Sequence, residues 1–367
     1  MTKNRGIEHP IKKSAELGSL MEWAVPERAV DVLRFFADTP APSQTASWTK
    51  GPGVKSIIDG WELKNYSWDP NFKGTGTGLL TIGNRKDAPV WIVAHWDVIS
   101  FLIKEKNESG YLLTPFHHHL MKSGSQPGRV LRYDLPQEKY RVVSTGKIHG
   151  GEFPAYQPDE PVELRPGDRV VYHTPMQEKE NHICTGQMDN APGCAGALMA
   201  GAILSKLPGV SVHICFVDEE EGPVAVGSTS FSRGSRRLLR FLPPPDLAIV
   251  VDHHTVSKGD ENPHMGNGAL YKEQASDTRG GVTPPWLYET VRSLAEIYSP
   301  NVQLNENRYA NVSRSDCVSL MKVTPNIVLC GPPTVGRHYV DGLYKCSVFD
   351  VAHLARSLAM IAYHLQK

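Results

Sequence analysis

The sequence predicts an α/β protein with a mixed, mainly parallel sheet flanked by helices and with an inserted small β domain. Three observations predict this fold class. Continuous apolar runs at 90–94, 210–217 and Leu247–Val251 are typical of strands buried on both faces. Segments with helical spacing alternate with these runs, which indicates parallel strands joined by helices. Between about residues 100 and 180 the sequence changes to short β-branched and aromatic runs separated by Gly and Pro.

The elements follow in order along the chain. Pro26 opens an amphipathic segment with helical spacing, and Thr39 and the prolines after it end the predicted helix. Gly78–Ile82 and then 90–94 form the first two predicted strands. Further helices are predicted at three segments, of which the first is rich in Ala and Gly and suits close packing: Ala191–Leu204, Pro285–Tyr298 and 351–365.

Residues 100–180 are predicted to form a unit of their own. The runs at 140–144 and 169–173 indicate antiparallel strands of a small barrel or sandwich. We therefore expect a discontinuous α/β domain at 1–99 and 181–367, interrupted by a β-rich domain at 100–180.

The composition limits the classes of partner. The chain has 367 residues, 40% of them hydrophobic, and its 39 Lys and Arg balance 39 Asp and Glu, so it can bury a sizeable core. A balanced charge without a long basic run argues against nucleic acid or an anionic membrane surface and favours small or peptidic ligands. The apolar runs are shorter than a membrane-spanning helix, and the first residues lack the apolar core of a secretory signal. We therefore expect a cytoplasmic protein, with its six cysteines reduced.

Five segments place metal-binding residue types at or near the ends of predicted strands, where open α/β sheets build their sites. Alone, each segment has a simpler explanation, such as a polar strand cap, a helix N-cap or a solvated acidic turn. Together they predict a metal site, and a mixture of imidazole and carboxylate suits zinc, with cobalt or manganese also compatible. The segments contain His95 and Asp97; Asp189; Asp218, Glu219, Glu220 and Glu221; Asp252, His253 and His254; and Arg337 and His338.

This ordered pattern resembles the co-catalytic di-zinc exopeptidase superfamily over nearly the whole chain. It is most similar to the glutamyl aminopeptidase and tetrahedral aminopeptidase branch, and 164–171 resembles the strand with which that branch's inserted domain returns to the catalytic domain. Two positions depart from that branch, since Val98 and Asn190 stand where it has acidic residues. The segment 189–193 is more similar to the leucyl aminopeptidase branch.

The resemblance implies a role for each matching residue. His95 and Asp252 would bind one ion, and Asp189 would bridge two divalent ions. The Glu-Glu-x-Gly pattern makes Glu220 a ligand, and His338 would complete the site of the second ion. The implied metal ligands are thus His95, Asp189, Glu220, Asp252 and His338.

Two further residues receive catalytic roles by the same resemblance. Glu219 would be the general base, and Asp97 would orient His95 from behind. The acidic run contains one acid more than the pattern, so the register of Glu219 to Glu221 stays open by one residue. Weaker candidates for substrate contacts are His253, Asp316 and Arg337.

The resemblance implies a metal-dependent aminopeptidase that removes N-terminal residues from peptides through a water bound by two metal ions. It also implies a homo-oligomer formed through the inserted domain. One alternative is a deacylase or carboxypeptidase of the same superfamily, in which Arg314 or Arg337 would hold the carboxylate of an N-acyl amino acid or dipeptide. A second is an inactive binding or scaffold homologue.

Overall fold

The structure, a computed structural model, describes residues 12–84, 87–108, 110–116, 121–222, 232–256, 264–307, 311–336 and 343–366. Its helices in chain order are α1 (Ala15–Met21), α2 (Pro26–Asp38), α3 (Ala46–Thr49), α4 (Gly51–Gly60), α5 (Ala191–Leu204), α6 (Arg233–Leu238), α7 (Pro285–Tyr298), α8 (Cys317–Leu320) and α9 (Val348–Leu365). Its strands are β1 (Tyr66–Asp69), β2 (Gly78–Ile82), β3 (Val90–His95), β4 (Ser100–Asn107), β5 (Gly110–Pro115), β6 (Ser125–Asp134), β7 (Lys139–His149), β8 (Ala155–Pro158), β9 (Arg169–Tyr172), β10 (Gln177–Glu178), β11 (Ile183–Gly186), β12 (Val212–Val217), β13 (Leu247–Val251), β14 (His254–Thr255), β15 (Ala269–Lys272), β16 (Leu304–Glu306), β17 (Asn311–Val312), β18 (Ile327–Gly331), β19 (Pro333–Val335) and β20 (Tyr344–Ser347).

An eight-stranded sheet forms the centre of the α/β part, in the order β1-β2-β12-β3-β13-β18-β15-β16. The four central strands, β12, β3, β13 and β18, run parallel to one another. Antiparallel pairs lie toward both edges, between β1 and β2, β2 and β12, and β15 and β18. The predicted fold class, a mixed and mainly parallel sheet flanked by helices, is confirmed.

Helix α5 is buried along its whole length and contacts both α2 and α9. Small residues make this close approach possible, since a Cβ atom added at Gly196 would lie 2.6 Å from the side chain of Leu354. The fixed position of α5 also fixes the residues immediately before it, at the carboxyl edge of the sheet.

A closed barrel follows β3 in the chain, with strand order β4-β5-β8-β7-β6-β9. All its strand pairs are antiparallel, and all its strands fall between Ser100 and Tyr172. Buried residues of the barrel, such as Phe101 and Ile148, belong to the same apolar cluster as residues of the large sheet. The division of the chain into two domains stays a prediction.

A second sheet, which the sequence did not predict, has the order β10-β11-β20-β19-β14-β17. Its strands are two to four residues long. It matters for the site because β11 ends at Gly186, three residues before Asp189, and pairs there with Tyr344 of β20. Among the helices in the described ranges, none has the length and apolar character needed to cross a membrane.

Candidate metal centre

Three predicted ligands meet at the carboxyl edge of the large sheet. His95 ends β3 and Asp252 follows β13, and these strands are parallel neighbours with Ala94 opposite Val251. His95 Nε2 lies 3.2 Å from Asp189 Oδ1 and 3.7 Å from Asp252 Oδ1. One nitrogen or oxygen atom of each residue lies within 4.8 Å of the other two, and all three residues are buried.

Asp189 is held in the turn between β11 and α5. The peptide bond from Asp189 to Asn190 is cis, and the Asn190 side chain donates a hydrogen bond to the Val251 carbonyl at 2.8 Å. A Cβ atom at Gly193 would lie 2.2 Å from the Asn190 side chain, so this turn requires glycine there. The Tyr344 hydroxyl donates to Asp189 Oδ2 at 3.4 Å. The turn therefore connects Asp189 to both sheets.

Asp97 lies behind His95 and organises the acidic run. Its carboxylate accepts hydrogen bonds from the Ser43 hydroxyl at 2.6 Å and from the N–H groups of Glu220 and Glu221 at 3.1 and 3.2 Å. The nearer Asp97 atom to His95 Nδ1 is the main-chain oxygen, at 3.2 Å, whereas the carboxylate is 3.6 Å away. Asp97 thus contacts His95 mainly through its carbonyl and fixes the acidic run with its side chain.

The acidic run turns at Glu219, and this separates its carboxylates. Glu219 has a left-handed φ of 58°, and its carboxylate pairs with Arg237 at 2.6 Å and Arg233 at 3.7 Å beside a pocket of about 230 Å³. All three glutamates are buried: Glu219, Glu220 and Glu221 are 4%, 8% and 6% exposed. The two arginines occupy the carboxylate of Glu219, the residue at which the sequence pattern placed the general base, and face it away from the acids of the rest of the run.

The electrostatic environment of Glu220 and Glu221 differs from that of Glu219. Burial raises the pKa of Glu220 well above its usual value; nearby His95 lowers it, and Glu221 raises it further. Burial likewise raises the pKa of Glu221, and Asp189 is the next largest cause. Both glutamates thus lie where the negative charge of neighbouring acids disfavours their ionised form.

The acidic neighbours raise the pKa of the two buried imidazoles, those of His95 and His253. Burial lowers the pKa of His95, but Asp189, Asp252 and Asp97 raise it well above its usual value. Burial raises the pKa of Asp252, but the nearby His253 and His95 imidazoles outweigh burial and lower that pKa. Protonated His95 and His253 can therefore balance the negative charge of the carboxylates. Divalent ions can balance the same charge, because metal binding displaces protons from its ligands.

Lys50 is a buried cation that the sequence reasoning missed. Its ammonium group donates to the Trp96 carbonyl at 2.7 Å, between His95 and Asp97 in the chain. Burial lowers the pKa of Lys50 to about 8, while the charges of Cys194, Asp97 and Asp218 raise it. A helix-terminal lysine normally lies at the surface, so composition and spacing carry no signal for this one.

The weaker candidates are placed as follows. His253 Nδ1 lies 3.2 Å from Asp189 Oδ1 and 3.1 Å from Asp252 Oδ1. Asp316 is 1% exposed and accepts a hydrogen bond from the Ser235 hydroxyl; burial raises the pKa of Asp316 to about 7. The remaining predicted residues, Arg337 and His338, lie outside the described residues.

No family model matches the sequence. Solved structures of aminopeptidases nevertheless share its fold. An aminopeptidase from the archaeon Desulfurococcus kamchatkensis superposes with a TM-score of 0.71 at 18% identity, covering 92% of this chain and 94% of its own. The TET1 peptidase of Pyrococcus horikoshii gives 0.69 at 14% identity, covering 92% and 100%. An aminopeptidase of the M18 family from Thermotoga maritima gives 0.62 at 12% identity, covering 95% and 97%.

These similarities show that the chain has the fold of the aminopeptidase structures. The chain has the mixed sheet and flanking helices of the aminopeptidase structures, along nearly their whole length. The three predicted ligands lie together at the sheet edge where open α/β folds build their sites.

Proposed function

We propose that the protein is a metal-dependent aminopeptidase that hydrolyses the N-terminal peptide bond of its substrates with two divalent ions, zinc being the first choice. The observation that carries this proposal is the convergence of His95, Asp189 and Asp252, from three separate segments, within 4.8 Å of one another. The aminopeptidase fold supports the choice of reaction.

The residues present fit such ions. Imidazole nitrogen and carboxylate oxygen are the donors that zinc takes in hydrolytic sites, and cobalt or manganese suits the same set. His95, Asp189 and Asp252 would hold one ion. Asp189 would be shared with a second, to which Glu221 and, by the sequence resemblance, His338 would contribute. When bound, the ions would lower the pKa of a water molecule and polarise the scissile carbonyl.

Glu220 takes the role of general base in this proposal, one residue later than the sequence pattern gave it. It is buried, its N–H group is held by the Asp97 carboxylate behind His95, and burial raises its pKa well above the usual value, as in carboxyl groups that act as acid or base. Glu220 would accept a proton from the attacking water at its carboxylate and deliver it to the leaving amine nitrogen. The Asp97 carboxylate accepts hydrogen bonds from the N–H groups of Glu220 and Glu221. It therefore fixes the main chain of both the proposed base and the proposed ligand.

The alternatives differ in the substrate group that must be recognised. An aminopeptidase must bind a free amine, which the carboxylates around the cluster would attract. A deacylase or carboxypeptidase must bind a carboxylate, a role that the sequence assigns to Arg314 or Arg337. An inactive homologue would retain the fold without turnover.

We also propose that the chain forms a homo-oligomer, with the barrel as its contact region. The TET1 peptidase of Pyrococcus horikoshii can assemble into a tetrahedron or a large octahedral shell. Sedimentation of the full chain well above the 40.5 kDa of one copy would support this proposal, and a monomer at micromolar concentration would contradict it.

The reaction is tested by supplying zinc or cobalt to the chelated protein and offering two substrate sets. We expect amino-acid anilides to be hydrolysed, with activity lost on chelation and restored by metal. Hydrolysis confined to N-acyl amino acids or to dipeptides with a free carboxylate would favour the deacylase or carboxypeptidase. Absence of turnover on both sets by fully loaded protein would contradict the enzymatic proposal.

A further inference from the structure

Lys50 is a buried lysine at the junction of α3 and α4. It is 2% exposed, and its ammonium group donates to the Trp96 carbonyl at 2.7 Å. Burying an ammonium group costs free energy, and an apolar side chain of similar size often satisfies such a position at least as well. The presence of lysine here therefore calls for an explanation other than packing.

The carbonyl oxygens of residues 95 to 97 each contact a different polar side chain. The Cys194 thiol donates to the His95 carbonyl at 3.0 Å, and Lys50 donates to the Trp96 carbonyl. The Asp97 carbonyl lies 3.2 Å from Nδ1 of His95. His95, Trp96 and Asp97 are at most 1% exposed, so bulk water does not replace these partners. Lys50 is thus the donor on which the middle carbonyl depends.

The sheet holds the other parts of Trp96. Its N–H group donates to the Val217 carbonyl at 3.0 Å, and its ring stacks on that of Phe216 with 5.8 Å between the centroids. The Trp96 carbonyl belongs to the planar peptide group that joins Trp96 to Asp97. The bond to Lys50 therefore sets the orientation of this peptide group, and with it the direction in which Asp97 leaves β3.

Asp97 contacts both parts of the proposed site. Its carbonyl faces Nδ1 of His95, and a proton on Nδ1 leaves the lone pair of Nε2 free to bind an ion. Its carboxylate accepts hydrogen bonds from the N–H groups of Glu220 and Glu221 at 3.1 and 3.2 Å. A change in the orientation of Asp97 would thus reach both the ligand His95 and the proposed base Glu220.

We propose that Lys50 is a positioning residue for the reaction, and that it orients Asp97 through the Trp96 carbonyl. This inference rests on the proposed metal-dependent hydrolysis and adds to it a residue outside the set implied by the sequence resemblance. Loss of the Lys50 donor should slow the reaction of a protein that still folds and still binds its substrate.

The first test compares full-length wild-type protein with Lys50→Met and, as a matched control, Lys55→Met. Lys55 lies further along α4 and pairs with Asp59 at the surface. All three proteins are checked for folding by circular dichroism, loaded with zinc and assayed with amino-acid anilides. We expect Lys50→Met to lower kcat by about 10–100-fold, the usual cost of losing a partner behind a ligand, with KM within about 3-fold of wild type. Lys55→Met should keep both constants within about 3-fold, and a kcat that close to wild type in Lys50→Met would overturn the proposal.

Lys50→Arg tests whether the hydrogen bond is the cause. Arginine retains charged N–H donors for the Trp96 carbonyl, so its kcat should exceed that of Lys50→Met by at least about tenfold. Equal losses of kcat in Lys50→Arg and Lys50→Met would overturn the proposal.

Amide hydrogen exchange, measured with and without zinc, provides a readout that does not depend on turnover. In Lys50→Met the Glu220 and Glu221 amides should exchange at least about tenfold faster, because these N–H groups donate to Asp97. A purely structural role of Lys50 would instead speed exchange within α4. Unchanged exchange at Glu220 and Glu221 would overturn the proposal. Faster exchange there, combined with zinc-loaded wild-type protein that does not hydrolyse anilides, would support the orientation of Asp97 by Lys50 while contradicting the proposed function.

Discussion

Two sets of carboxylates lie at the carboxyl edge of the large sheet, and they differ in the groups that contact them. The anchored carboxylates receive donors from the protein itself: Asp97 from Ser43 and two main-chain N–H groups, Asp218 from the N–H groups of Gln44 and Glu219, and Glu219 from Arg237. The cluster carboxylates are Asp189, Glu220, Glu221 and Asp252. Asp189 and Asp252 also lie within 3.7 Å of the imidazoles of His95 and His253, in addition to the donors they receive from the Tyr344 hydroxyl and the His253 N–H.

We infer from this difference that the anchored carboxylates stabilise the fold around the site, whereas the cluster carboxylates bind the ions or take part in the reaction. Hydrogen bonds and an arginine stabilise the anchored carboxylates as part of the fold. In the cluster, burial raises the pKa of both Glu220 and Glu221 well above the usual value, as it does for Asp218 among the anchored carboxylates. Such a group gains most from divalent cations, which stabilise several carboxylates at once.

The largest expected effect concerns Glu220 within the cluster. Glu220→Gln keeps the size of the side chain but removes its capacity to accept a proton, so kcat should fall by about 10²–10⁴-fold with zinc content unchanged. Glu221→Gln should instead release zinc. Steady-state kinetics and metal analysis on both variants check this assignment, and a parallel loss of zinc and activity in Glu220→Gln would make Glu220 the ligand.

The next largest effect is the contribution of Lys50 to the pH dependence of the free energy of unfolding. Its pKa is lowered from 10.5 to about 8 in the fold, so between these values the unfolded chain binds a proton that the native protein does not. The free energy of unfolding should therefore gain about 3 kcal/mol from this group as the pH rises from 8 to 10.5. Urea unfolding of zinc-loaded Lys50→Met should lack that gain. Identical pH dependence in the two proteins would show that Lys50 is not desolvated as the structure places it.

The smallest effect is expected for an anchored carboxylate. Glu219→Gln removes an ion pair between a carboxylate that is 5% exposed and Arg237, which is 34% exposed, so the loss of stability should be about 1–2 kcal/mol. Anilide hydrolysis should stay within about 3-fold of wild type, because Glu219 lies outside the cluster. A loss of 100-fold or more would restore the register in which Glu219 is the base.

The strongly patterned elements could be predicted from the sequence because burial on one or both faces imposes a period. The helices Ala191–Leu204 and Pro285–Tyr298 and the strand Leu247–Val251 have the predicted bounds. The six-stranded sheet could not be predicted, since strands such as His254–Thr255 are too short to show a period.

The candidate site was predictable in its location and less so in its detail. Strand ends carrying His95 and Asp252 had to meet once β3 and β13 were parallel neighbours. The order of roles in the acidic run depended on the left-handed turn at Glu219, which residue type alone does not reveal. The burial of Lys50 and the placement of His253 between two carboxylates depend on long-range packing that local sequence does not encode.

The most direct test of the central claim is the number of zinc ions bound per chain, measured by equilibrium dialysis and metal analysis of the full-length protein. The account predicts about two ions for wild type and a loss of both for Asp189→Ala, because this carboxylate would be shared between them. Fewer than one ion per wild-type chain at saturating zinc, or full occupancy in Asp189→Ala, would contradict it.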